Sequence, residues 1–129
     1  MTPLEEIRDF VNAGPPGKLR EAIRVLLRAN NGIDEGVDAA SRTLDVAARR
    51  GRLHVGFRGG ALTFESDEPV LAAVAEAMAD GSWTRLKACR ADDCKWAFID
   101  TARNRTRIWC DMAVCGNREK ARRYRNRHA

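Results

Sequence analysis

The chain has no cysteine before residue 89, only two histidines in 129 residues, and no uninterrupted apolar run near the roughly 20 residues that a membrane helix requires. These deficits exclude a helical membrane protein and leave little acid–base chemistry for an enzyme. No glycine-rich phosphate loop, Ser/His/Asp grouping or internal repeat is visible. The first residues, Met1-Thr2-Pro3-Leu4-Glu5-Glu6, carry acid where an export signal needs basic residues and then an apolar stretch, so the expected location is cytoplasmic. What is present is ordinary for a folded chain: 44% hydrophobic and 32% charged residues exclude disorder.

Acid is scarce in one region only. Residues 1–82 hold 10 Lys/Arg against 13 Asp/Glu, a net of −3, whereas residues 83–129 hold 13 against 5, a net of +8. All four cysteines lie in the basic third. The division predicts two modules, 1–82 and 83–129, with different tasks.

Thr2-Pro3-Leu4-Glu5 reads as a capped helix start, followed by Leu4, Ile7 and Val11 at helical spacing until Gly14-Pro15-Pro16-Gly17 ends the run. Leu19, Ile23, Leu26 and Leu27 predict a second helix over 18–30. A third is expected from a cap at Asp34 to Arg50, burying Val37, Ala40, Leu44 and Ala47. The period then changes from 3.6 to 2. Leu53, Val55 and Phe57, the turn Arg58-Gly59-Gly60, then Leu62 and Phe64 predict a hairpin with one buried face. His54 falls on its solvent face with no ligand-type residue at suitable spacing. Pro69 opens a further helix through Leu71, Val74 and Met78 to Asp80-Gly81. The core of residues 1–82 is small for independent stability, so packing against the tail or a second copy is expected.

The cysteines read Cys89-x4-Cys94, fifteen intervening residues, then Cys110-x4-Cys115. Two close pairs within 27 residues form a structural zinc pattern, because each pair can turn both thiolates toward one ion that accepts four soft ligands. Two disulfides, or four unrelated thiols, are the competing arrangements. Nothing in the chain calls for the oxidising compartment that disulfides need. His128 lies 13 residues past Cys115, on the order of 20 Å along a helix, and is too distant to be a ligand.

Between the pairs, Trp96, Phe98 and Asp100 alternate with Ala97 and Ile99, as in a strand. Arg103, Arg105 and Arg107 follow in a basic loop. Trp83, Trp96 and Trp109 are the only tryptophans, and they are expected to fill space around the metal, with base stacking as the alternative use. After Cys115, one helical face holds Asn117, Ala121, Tyr124 and His128, which predicts docking of that face on the finger. Arg118, Lys120, Arg122, Arg123, Arg125 and Arg127 cover the rest with a single acid, Glu119. Six cations repel one another unless a polyanion is present, so phosphate binding is expected, with Arg118, Arg122 and Arg125 as a continuous stripe.

Trp83-Thr84-Arg85-Leu86-Lys87-Ala88-Cys89, Cys94-Lys95-Trp96-Ala97-Phe98-Ile99-Asp100, Arg103-Asn104, Trp109-Cys110-Asp111-Met112 and Cys115-Gly116-Asn117-Arg118, with Lys120 and Ala121, resemble the CGNR zinc finger over about 45 residues. The resemblance implies zinc at Cys89, Cys94, Cys110 and Cys115 and a DNA contact through the basic helix that follows. In that family the finger closes bacterial proteins whose N-terminal part is the ABATE domain, regarded as ligand-sensing. The whole is described as a stress-related transcription regulator. The family usually carries a longer N-terminal region than the 82 residues here, and has Ser where this chain has Thr101.

The expected fold class is therefore α+β: a mainly helical, ABATE-like part (1–82) with one β-hairpin, then a small four-cysteine finger (83–129) of knuckle–hairpin–helix, treble-clef-like form. The expected function is DNA-binding transcription regulation around one structural zinc, with a homodimer and a small ligand at the N-terminal part as further partners. RNA binding and adhesion to an acidic protein partner are the alternatives. Catalysis is not expected, since four thiolates close the metal's coordination shell.

Overall fold

A computed structural model of the chain describes residues 1–128. Helix α1 (Pro3–Asn12) starts where Thr2 Oγ1 accepts the Glu5 N–H at 3.2 Å and Pro3 takes the first helical position, which has no donor to lose. Helix α2 (Lys18–Ala29) follows after the Gly14–Gly17 break and turns Ala22, Ile23 and Leu27 inward. Helix α3 (Val37–Arg50) begins two residues later than the Asp34 cap would place it. Gly36 has φ 81°, a left-handed conformation that costs glycine little, and the helix starts only beyond it. Of the apolar positions expected to be buried on α3, Ala40 alone is fully so; Val37, Leu44 and Ala47 are half-buried.

Strands β1 (His54–Arg58) and β2 (Ala61–Glu65) form the expected antiparallel hairpin, pairing Val55 with Phe64 and Phe57 with Leu62. Gly59 and Gly60, at φ 58° and 79°, supply the two positive-φ residues that match a tight turn to the twist of the strands. The burial expectation fails here. Val55, Phe57 and Leu62 are 58%, 78% and 55% exposed, because the hairpin's apolar face has no layer above it. Helix α4 (Pro69–Asp80) returns to the core with Val70, Leu71, Val74 and Ala77.

A short 3-10 turn at Trp83–Arg85 leads into β3 (Leu86–Ala88), which pairs antiparallel with β4 (Ala97–Ile99). A π-helical turn at Met112–Gly116 runs into helix α5 (Asn117–His128). The main core joins the two compositional halves of the chain. Ile7, Val11, Ile23, Leu27 and Val74 pack with Leu86, Ala88 and Ala97. The alternation foreseen for β4 divides the strand between two clusters: Ala97 and Ile99 face the helices, while Phe98 joins Cys89, Ala91, Trp109 and Cys115.

Polar side chains bind the helices to this second hairpin. Asn12 Nδ2 donates to the Ala97 carbonyl and Asn12 Oδ1 accepts the Ala97 N–H, each at 2.9 Å, so one amide completes both backbone groups on the open edge of β4. Asn30 Nδ2 donates to the Trp83 and Leu86 carbonyls, and Asn31 Nδ2 to those of Ala88 and Ile108. Arg24 reaches the Lys95 carbonyl at 2.6 Å.

Beneath the basic loop lies a buried ion pair. Lys87 Nζ donates to Asp100 Oδ2 at 2.8 Å and to the carbonyls of Arg105 and Arg107 at 2.9 and 2.8 Å. Asp100, fully buried, also accepts the Ala102 and Arg107 N–H groups. Burial alone would push the Asp100 carboxyl up; the Lys87 ammonium and these N–H donors outweigh it and hold it below the usual carboxylate range. Its folded pKa is thus depressed, so its contribution is fully present above about pH 4 and disappears as pH falls through the lower folded value. Replacing Asp100 with Asn leaves a buried ammonium without its counter-charge. We expect a loss of about 3–5 kcal/mol in denaturant melts at pH 7, with the wild-type and variant curves converging as pH falls below about 4. Equal destabilisation at pH 7 and pH 3 would contradict this account.

Candidate metal centre

Cys89 closes β3 and is fully buried; Cys94 stands five residues on, just before β4. The chain between them turns tightly: the Cys94 and Lys95 N–H groups both donate to the Ala91 carbonyl, at 3.0 and 3.1 Å, and Lys95 sits at φ 55°. Cys89 N–H donates to the Trp96 carbonyl at 2.8 Å and closes the hairpin above the knuckle. In the second pair, Asp111 accepts the Ala113 N–H through its side chain and the Cys115 and Gly116 N–H groups through its carbonyl. The wide turn this makes brings Cys115 back toward Cys110. A Cβ on Gly116 would meet Trp109 Cδ1 at 2.9 Å, as well as Met112 Sδ, so glycine is what lets the turn close on the tryptophan.

The four Sγ atoms lie within 4.8 Å of one another, with Cys94–Cys110 at 3.5 Å and Cys110–Cys115 at 3.6 Å. A tetrahedron of sulfurs about 2.3 Å from a central ion has edges of about 3.8 Å, so the donor set fits zinc in number, chemistry and spacing. The sulfurs are free thiols with no disulfide between them. Burial pushes the Cys110 thiol well above its ordinary value and Cys115 up to about 11. At Cys94 burial acts in the same direction, but the Trp96 N–H and the neighbouring thiols reverse it. Four thiolates cannot form side by side here without a cation to balance them.

Residues 85–128 match the family model of the CGNR zinc finger. The match covers both strands of the second hairpin, all four cysteines and α5. No curated protein matches the chain.

The three tryptophans divide. Trp109 is buried against the cysteines, Trp83 packs on the helical core, and Trp96 is 51% exposed. The basic helix is attached by the opposite face from the one its apolar residues suggest. Asn117, Ala121, Tyr124 and His128 are all exposed, with Tyr124 and His128 stacked on each other at 4.3 Å between ring centroids. The half-buried positions are Arg118, Glu119 and Arg122. Arg118 donates to Asp93 Oδ1 at 3.0 Å and toward Cys115 Sγ at 3.5 Å; Arg122 donates to Asp93 Oδ2 at 2.9 Å and to Glu119 at 2.6 Å. The Arg122 guanidinium, with Arg118 beside it, holds the Asp93 carboxyl below the usual range. Asp93 belongs to the first knuckle, so it latches the helix that grows from the second.

The stripe expected from Arg118, Arg122 and Arg125 is therefore divided, with two of its members turned to Asp93. Lys120, Arg123 and Arg127, spaced three and four apart, share the outward face and form no ion pair among the described residues. In the loop, Arg103 and Arg105 are exposed, while Arg107 lies over the Phe98 ring at 4.8 Å and donates to the Trp109 and Cys110 carbonyls. The sequence analysis assigned no role to Asp93, to the Lys87–Asp100 pair, or to Asn12, Asn30 and Asn31. An acid in a basic finger was the available signal for the first.

Two substitutions test this arrangement. Asp93→Ala should leave the metal content unchanged while speeding amide exchange throughout α5; unchanged exchange would show that the latch holds nothing. Gly116→Ala should weaken metal retention in a chelator competition, since the second knuckle must open to make room for the methyl group.

Proposed function

We propose that the chain is a DNA-binding transcription regulator in which one zinc ion, held by Cys89, Cys94, Cys110 and Cys115, fixes a basic helix for contact with duplex phosphates. The observation that carries this reading is the sorting of charge on α5. Arg118 and Arg122 are engaged by Asp93, whereas Lys120, Arg123 and Arg127 face outward; Arg125, Arg103 and Arg105 are exposed as well. A rigid helix presenting unpaired cations on one face fits the regular spacing of phosphates. The zinc is structural on this reading, since four protein thiolates leave no position for a substrate. No helix among the described residues is long and apolar enough to cross a membrane. Residues 1–82 would then form an ABATE-like sensing part. Its site for a small ligand would be the groove of about 720 Å³ between α2 and α3, where Lys18, Arg42 and Arg50 border Leu19 and Val46.

One observation favours single-stranded nucleic acid as a second reading. Trp96 stands half-exposed beside Phe98 and Arg107 in a groove of about 870 Å³ between α1 and the finger, a surface on which a base can stack.

Fluorescence anisotropy with a labelled duplex at increasing salt tests the proposal. Metal analysis should give about one zinc per chain, and log affinity should fall linearly with log salt by about 0.9 for each phosphate neutralised. Changing Lys120, Arg123, Arg125 and Arg127 together to Gln should reduce that slope by about 3 to 4 without displacing zinc. A slope indifferent to the four changes would refute the helix as the contact. Stronger binding to single strands that disappears in Trp96→Ala would transfer the reading to the second surface.

A further inference from the structure

Residues 1–82 carry 10 Lys/Arg within a net-acidic stretch, and most of these cations have a partner. Arg8, Arg24, Arg28, Arg49, Arg52 and Arg58 stand in ion pairs. Arg20 donates to the Phe10 and Pro15 carbonyls and lies over the Phe10 ring. The three that remain, Lys18, Arg42 and Arg50, form no ion pair among the described residues, and all three line the groove between α2 and α3. A shortage of acid does not explain this. Asp38 lies one turn before Arg42 on α3, the spacing at which exposed helical charges ordinarily pair, and Asp45 lies between Arg42 and Arg50 but pairs with Arg49 at 3.1 Å. At the end of the groove Asp67 is taken up by Arg52 at 2.7 Å, which leaves Glu68 as the one lining carboxylate without an ion pair. Arg42, Val46 and Arg50 succeed one another at single-turn intervals, so an apolar side chain stands between two that end in guanidinium, and Leu19 and Ala47 line the same groove.

We propose that this groove binds a small organic anion, an apolar body carrying a carboxylate or phosphate. The inference rests on the reading of the groove as a small-ligand site and names the class of ligand. Charge, size and surroundings select it. A guanidinium without a carboxylate partner offers a planar fork of N–H donors that matches two oxygens of either anion. Leu19, Val46 and Ala47 add apolar surface that an inorganic ion cannot use and a hydrocarbon body can cover. The volume of about 720 Å³ falls in the range of roughly 300–1,000 Å³ usual for small-molecule sites. A nucleic acid or an acidic protein face is disfavoured, because residues 1–82 hold 13 Asp/Glu against 10 Lys/Arg and repel a large negative surface.

Amide NMR titration of the zinc-loaded full chain, without DNA, tests this with naphthoate, naphthyl phosphate, uncharged naphthalenemethanol and acetate. Naphthoate or naphthyl phosphate should shift the amides of Leu19, Thr43, Val46 and Gly51. It should bind at least about tenfold more tightly than the alcohol, the difference that charge-assisted hydrogen bonds supply. Lys18→Gln, Arg42→Gln and Arg50→Gln together should abolish that difference and leave the affinity for the alcohol unchanged. All three side chains are exposed, so the thermal melt should not move, which separates lost binding from misfolding. Equal affinity for the charged probes and the alcohol overturns the proposed ligand class while the groove stands as a small-ligand site. Acetate binding as tightly as naphthoate overturns it as well, since the apolar surface then contributes nothing. Shifts centred away from the groove, or none with any probe, overturn both the class and the site.

Discussion

Four sulfur atoms must meet within 4.8 Å, and the 27 residues that carry them bring too little apolar mass to hold them there. Phe98, Trp109 and Ala91 are the only buried residues beside the cysteines in that cluster. The structure meets the constraint by attaching the finger to the helices. Asn12 completes the edge of β4, while Asn30, Asn31 and Arg24 take up carbonyls of the finger's backbone, and Leu86, Ala88 and Ala97 extend the helical core. The metal pattern and the helices are thus mutually dependent. The hairpin that presents Cys89 and Cys94 gains its second layer from α1 and α2, and those helices gain part of their core from the hairpin. The same arrangement explains how an N-terminal part with few large apolar residues attains a continuous core.

The elements whose physics is local were legible in the sequence. Thr2 and Pro3 fixed the start of α1, Gly59-Gly60 fixed the hairpin turn, and the Cys-x4-Cys pairs identified their donors because knuckle geometry depends on short spacing alone. The alternation of Trp96 to Asp100 also separated the two faces of β4. What failed was any inference from a pattern to the presence of a covering layer. Val55, Phe57 and Leu62 alternate as a buried face does, but alternation shows only that one side is apolar and says nothing of what lies over it. The start of α3 failed for a different reason. Asp34 is a good cap by composition, yet Gly36 adopts a left-handed conformation that interrupts the chain before the helix can begin.

The basic helix shows the same limit in its electrostatics. Composition counts the cations of α5 without saying which have counter-charges, because the counter-charge, Asp93, is 25 residues from Arg118 and on the other knuckle. An exposed ion pair of this kind is individually weak. Its importance is positional. Both carboxylate oxygens are used, each by a different arginine one helical turn apart, so the helix is held at two points against the finger and its rotation about its own axis is fixed. That rotation decides which residues are available to a partner. With Arg118 and Arg122 turned inward, the outward face passes to Lys120, Arg123 and Arg127, and Tyr124 and His128, which looked like docking residues, stack on each other in solvent. The cations available for binding are therefore defined by an acid in the first knuckle, and the donor toward Cys115 Sγ is one of the two arginines that acid holds. Metal site and basic surface are linked through Arg118, so a change that loosens the cysteines also reorients the charges the helix presents.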